Sequence, residues 1–263
     1  MQHPLQQALQ QQQLLRVLRL QYTEEEPALD LSMLTQLEEL VAAIQPGGTV
    51  LPPQLKRLRA WNWKPIQDLS ALTQLQDLTA TVEPGQSVLP PQLQSLRVTN
   101  SVDGHILAVL TQLQQLRRLR LKVCFEEPQL LLCLKQLPGL QHLHLAYCEV
   151  QHAAGTAAAW AQLPQLKALK VTWSDEEEED LPDEEELAVI WAGALACTGL
   201  TRLWLSAQNH WIDPDSVAVC FGLARLTGLQ ELTIGSITSL VPGDAWALTA
   251  LTALTYLSLS GVL

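Results

Sequence analysis

The chain has 263 residues, 48% of them apolar, and 27 acidic against 16 basic side chains, for a formal net charge of −11. That length and apolar content suffice for a sizeable core in one elongated or two compact domains, and no run approaches the roughly 18 uncharged apolar residues of a membrane-spanning helix. The negative balance argues against long duplex DNA as a partner.

In chain order, residues 1–14 (MQHPLQQALQQQQL) have no basic leader and no small-residue cleavage site, so no secretory signal is expected. An N-terminal capping helix is expected over 1–14, with Leu5, Ala8, Leu9 and Leu14 towards the first strand. From residue 15 a single pattern, L-x-x-L-x-apolar, recurs to the end: LRVLRL (15–20), LEELVA (37–42), LKRLRA (55–60), LQDLTA (75–80), LQSLRV (93–98), LRRLRL (116–121), LQHLHL (140–145), LKALKV (166–171), LTRLWL (200–205), LQELTI (229–234) and LTYLSL (254–259). Residues alternate around the second leucine of each unit, as in a short strand with one buried face. The text between units differs along the chain. VLPPQL at 50–55 and 88–93 places Pro-Pro where a helix would go, so extended segments are expected there. EEPQLLLCLKQLPGL starts a helix at Pro128, and an acidic insertion, 174–186, leads into the helical text ELAVIWAGALA with Asp183 to Glu186 as its first turn. DPDSVAVC has Asp213 as N-cap with Pro214 at the first helical position, and PGDAWALT has Asp244 near a helix start.

Strand, turn and backing segment repeated about eleven times over residues 15–263 resembles the leucine-rich repeat family, in an intracellular type with degenerate repeats. Seven of the ten intervals fit the roughly 20 to 29 residues of such repeats. The resemblance implies an α/β solenoid: a leucine-rich repeat arc with a parallel concave β-sheet and convex helices or extended segments. The two Pro-Pro units look like the short repeats of bacterial effector proteins. The family sets Asn or Cys just past the strand. Cys124 and Cys148 stand there, but so do Thr23, Trp63, Ser101 and Ser174, so the asparagine ladder is largely missing. Five cysteines, an odd number without tight spacing, read as reduced thiols of a cytoplasmic protein, with nuclear or cytoskeletal and ciliary association left open. Val262-Leu263 follow the last strand without a polar cap, which raises the expectation of a longer protein or of a partner at that edge.

Counting from the first leucine of each unit, positions two, three, five and seven face solvent. They hold 13 of the 16 basic residues but only Glu38, Glu39, Asp77 and Glu231 of the acidic ones, so a basic face is expected on an acidic protein. Position five forms a column: Arg19, Val41, Arg59, Thr79, Arg97, Arg120, His144, Lys170, Trp204, Thr233, Ser258. Long Arg stems at these places can simply shield the sheet. The functional reading is an anion-binding groove for an acidic protein segment, with Arg97, Arg118, Arg120, Lys122, Lys170 and Arg202 as its charged centre. Trp204 and Tyr256 would form an apolar anchor, because exposed Trp, Tyr and Arg together are the composition of a binding hot spot. Trp61 extends that pattern at the other end, whereas Trp160, Trp191 and Trp246 sit in helical text and read as packing residues. The acidic run is a solvated stretch, or an internal competitor folding over Lys167, Lys170, Arg118 and Arg120.

His142, His144, Cys148 and His152 include ligand types that zinc accepts, but the flanking cations oppose a metal there, so no metal is expected. Pro46-Gly47-Gly48 lacks the following Lys-Ser/Thr of a phosphate loop, and no Gly-x-Ser-x-Gly, His-Glu-x-x-His or Cys-x-x-Cys occurs. The expectation is therefore a protein without enzyme activity or cofactor. It would be an interaction module binding an acidic protein partner, as a substrate-recognition or scaffold subunit. Nucleic-acid or polyanion binding, and a recognition domain of a larger enzyme or immune-type receptor, are the alternatives.

Overall fold

A computed structural model of the chain describes residues 9, 12, 14–20, 29–44, 48–60, 64–174, 184–208, 222–235 and 248–260. Each L-x-x-L-x-apolar unit contributes one strand: β1 Val17–Arg19, β2 Glu39–Ala42, β3 Arg57–Ala60, β4 Asp77–Ala80, β5 Ser95–Val102, β6 Arg118–Val123, β7 His142–Tyr147, β8 Ala168–Ser174, β9 Arg202–Gln208, β10 Glu231–Gly235 and β11 Tyr256–Ser260. They follow one another in chain order in one sheet. Helices α1 Gly104–Leu110, α2 Pro128–Leu132, α3 Val150–Trp160 and α4 Glu184–Leu195 lie between strands, so the fold is an α/β solenoid. The capping helix of 1–14 falls almost wholly outside the described residues. So do residues 175–183 of the acidic run, the helix starts at Asp213 and Asp244, Thr23, Trp61, Trp63, Trp246 and the final Val262-Leu263.

The chain divides into two compact units, Met1–Asn100 with Ala108–Leu119, and Ser101–Leu107 with Arg120–Leu263. In the first, the parallel register joins the central leucines of successive repeats, Leu18 to Leu40 to Leu58 to Leu78 to Leu96. Leu37, Leu40, Leu55, Leu58, Leu75 and Leu93 lose all contact with solvent. The core is thus a stack of leucines, each repeat sealing the next. Behind the strands the Pro-Pro segments form no helix, as their missing amide donors dictate, but they are not extended throughout as expected: a turn falls on Pro53-Gln54 and on Pro91-Gln92. Single parallel bridges tie the start of each segment to the preceding repeat, Val50 to Asp30 and Val88 to Asp68. Each bridge aspartate is held by a serine two residues on. Asp30 Oδ1 accepts from the Ser32 amide at 3.0 Å and its hydroxyl at 2.6 Å, and Asp68 Oδ1 accepts from the Ser70 amide at 2.8 Å. These bonds hold both carboxyls below their ordinary pKa.

A second set of ties uses glutamine. The residue just before the first leucine of a unit donates to the preceding repeat: Gln54 Nε2 to the Leu34 carbonyl at 2.7 Å, and Gln92 Nε2 to the Leu72 carbonyl at 2.8 Å. Gln165 does the same to Leu134 in the second unit, at 3.0 Å. These side chains satisfy turn carbonyls that the strand ladder leaves unpaired.

In the second unit the register continues, Leu143 to Leu169 to Leu203 to Leu232 to Leu257. Pro128 occupies the start of α2, as expected from its missing N–H, and the chain runs on into a 3-10 turn over Cys133–Gln136. Trp160 of α3 and Trp191 of α4 are buried, matching their reading as packing residues. Trp160 Nε1 donates to Tyr147 Oη at 3.2 Å, and Tyr147 Oη lies 2.6 Å from Thr156 Oγ1, so the polar atoms of this aromatic cluster are paired. Burial pushes the Tyr147 phenol above its ordinary pKa. α4 approaches α3 closely at Gly193, where a Cβ would lie 2.6 Å from the Ala157 carbonyl oxygen.

One expectation is overturned here. Cys124 and Cys148 are disulfide-bonded, with Cα atoms 5.4 Å apart, where all cysteines were expected to be reduced. The spacing of 24 residues gave no hint of a pair. Stacking puts the same turn position of successive repeats within one inter-strand distance, inside the Cα range a disulfide bridges.

Candidate functional site

Side chains at the third, fifth and seventh places of each unit point away from the leucine core, because alternate residues of a strand face opposite sides. The register sets the expected column in place within each unit. Arg19, Val41, Arg59, Thr79 and Arg97 are aligned in the first. His144, Lys170, Trp204, Thr233 and Ser258 are aligned in the second.

In the first unit much of the positive charge is met by neighbours. Glu38 sits between Arg16 and Lys56, at 3.3 Å from each, and the Lys56 bond with the Arg16 charge lowers its pKa. Glu39, largely buried, receives Arg19 at 3.1 Å on one oxygen and Arg57 at 3.4 Å on the other. Arg118 reaches past β5 to Asp77 on β4, 3.4 Å away. A sequence count of surplus cations therefore overstates the free charge at this end. Among the described residues, Arg59, Arg97 and Arg117 have no carboxylate within ion-pair distance.

Of the expected site, Arg120, Lys122, Lys170, Arg202, Trp204 and Tyr256 lie on strands of the second unit, and Arg97 and Arg118 on strands of the first. Lys170 Nζ stands 3.3 Å from the centre of the Trp204 ring, a cation–π contact between β8 and β9. Partial burial, and then the Arg120 charge, lower the Lys170 pKa. Arg202 pairs with Glu231 across the β9–β10 step at 3.2 Å. His144 Nε2 lies 3.3 Å from Thr172 Oγ1. Trp204 is 43% exposed and Tyr256 55%, large apolar surfaces left to solvent beside these cations. In the third-position row Arg202, Glu231 and Tyr256 are aligned, which sets Tyr256 two strands from Arg202 and diagonal to Trp204. The Lys170–Trp204 contact was not anticipated, although both residues hold position five of consecutive repeats and their adjacency could have been read from that alignment.

Cys148, a candidate ligand beside His142, His144 and His152, is bonded to Cys124. Among the described residues no three His, Cys, Asp or Glu side chains are grouped to hold a metal ion, and no helix is long and apolar enough to cross a membrane.

No family model and no curated protein matches the chain. Among solved structures the chain is similar to the crystal structure of human 5T4 (Wnt-activated inhibitory factor 1, trophoblast glycoprotein), with 17% identity and a TM-score of 0.43 over 70% of this chain and 77% of that one.

Proposed function

We propose that this chain is a non-catalytic protein-interaction module that binds an acidic protein partner on the exposed sheet face of its second unit, serving as a substrate-recognition or scaffold subunit. The observation that supports the reading is the Lys170–Trp204 contact beside the Arg120 charge, on a sheet whose neighbouring strands carry Lys122 and the exposed Tyr256. Desolvated aromatic and Arg anchors dominate interface energies, and cations around them select an acidic partner and speed its approach. Arg120 and Lys170 repel each other, and an acidic ligand relieves that repulsion.

Affinity capture with the intact chain, with and without nuclease, tests the reading. Partners are expected to survive nuclease, and Arg120→Glu with Lys122→Glu should remove them while circular dichroism stays unchanged. Association should also slow as salt rises, since screening acts on steering charges. Capture lost on nuclease treatment would point to nucleic acid instead. Capture unchanged by the double reversal would place binding away from this face.

A further inference from the structure

Across β7 to β11 the seventh place of each unit is small: Ala146, Thr172, Ser206, Gly235 and Ser260 are aligned in register. At Gly235 the fit is tight, since a Cβ there would lie 2.5 Å from Ser206 Oγ. Beside this row the fifth-place column carries Lys170 on β8 and Trp204 on β9, locked together by their cation–π contact. The pair stands beside this row of small side chains, which runs across the strands because equivalent places of successive repeats share a row. Positive charge lies toward β6 and exposed ring surface toward β11, the Arg202 charge on β9 being met by Glu231. Arg120, Lys122 and Lys170 lie on β6 and β8, whereas Trp204 and Tyr256 lie on β9 and β11.

We infer that the partner presents an extended segment laid across the strands, with a cluster of carboxylates at one end and an apolar or aromatic side chain about four to six residues away. The inference rests on the function proposed above and specifies its ligand. From β6 to Trp204 on β9, whose open ring face looks toward β10, is three to four strand spacings of about 4.8 Å, or about 14 to 19 Å, and an extended chain covers about 3.3 Å per residue. A helical segment, rising about 1.5 Å per residue, would need about nine to thirteen residues for the same reach. The interior strands have their backbone groups paired within the sheet, so the segment is held by side chains and gains nothing from strand addition. Its carboxylates meet Lys122 and Arg120, and its apolar side chain covers the ring face of Trp204 that Lys170 leaves open.

Fluorescence anisotropy with the full chain and a peptide series tests this. Each peptide carries Asp-Glu-Asp-Glu, a Gly-Ser spacer of zero, two, five or ten residues, and a terminal Phe; a control lacks the Phe. Binding is expected to be tightest at the five-residue spacer, about tenfold over the control, the worth of one good aromatic contact. Trp204→Ala should abolish the gain from Phe and leave the control peptide's affinity unchanged, whereas Trp204→Phe should keep most of the gain. Arg120→Glu with Lys122→Glu should weaken every peptide. Equal affinity at all spacings, an optimum at ten residues, or a Phe gain that persists in Trp204→Ala would overturn the inference and leave the acidic-partner reading standing. Failure of the control and all Phe peptides to bind wild type would overturn both.

Discussion

Asn100 grips Val82, a residue one repeat earlier, through both ends of its carboxamide: Oδ1 accepts from the Val82 amide at 2.9 Å and Nδ2 donates to the Val82 carbonyl at 3.0 Å. Asn100 lies within β5, one residue before Ser101, the place at which the sequence pattern looked for such a tie. With Gln54 and Gln92 it gives the first unit a set of side-chain ties between repeats.

Asn100→Ala should therefore destabilise the protein by about 1 to 3 kcal/mol, since it orphans a buried donor and acceptor together. Urea unfolding checks this. Asn100→Asp keeps the acceptor for the Val82 amide but sets a carboxylate oxygen against the Val82 carbonyl, so its midpoint should also fall below that of wild type. An Asn100→Ala midpoint equal to wild type would show that water replaces the tie at no cost.

Leu143 is 2% exposed and sits in line with Leu169. Truncation to Ala leaves a cavity between repeats that cannot close by shifting one of them alone, so a loss of about 2 to 5 kcal/mol is expected. Thermal melting by circular dichroism should report it as a drop in Tm. The neighbouring repeats should lose protection together in hydrogen exchange, as nearest-neighbour stabilisation requires.

The thiols should separate into distinct classes. The Cys124–Cys148 bond joins residues 24 apart, and replacing Cys124 with Ser should cost about 3 kcal/mol through the freed chain entropy of the unfolded state. Cys197 is buried and its pKa is pushed up to about 12. At pH 8 almost none of it is thiolate, so native alkylation should spare it. Cys133, half-buried, is raised in the same direction and should label slowly. Peptide mapping after iodoacetamide treatment without reductant reads all four. Alkylation of Cys124 or Cys148 under those conditions would rule out the bond.

Glu38 offers a pH test. Its pKa is lowered in the fold by the Lys56 bond and the Arg16 charge, so the native state holds this proton less tightly than the unfolded chain does. The resulting stability is complete above the ordinary carboxylate pKa and disappears as pH falls through the lower, folded value. Compared with Glu38→Gln, wild type should melt at a higher temperature at pH 7, and the gap should close on acidification. Because the pair is exposed, 0.5 M salt should also narrow the gap.

The repeat itself was legible from residue order alone. Leucine spacing and two-residue alternation are local properties, and they located all eleven strands, the buried faces of the first ten and the position-five column, along with the helix start at Pro128 and the absence of helix at the Pro-Pro segments. Contacts between equivalent places of different repeats were decided only by the tertiary structure. Cys124 with Cys148, Lys170 with Trp204, Arg118 with Asp77 and Asn100 with Val82 lie 18 to 41 residues apart in the chain. Intervals between units vary in length, so sequence distance carries no fixed signal for such pairs. Once the strands are stacked about 4.8 Å apart, equivalent places become neighbours. Charge matching and bonding then follow from which side chains share a row, which is why Glu38 and Glu39 neutralise the cations around them while Lys170 turns instead onto an aromatic ring.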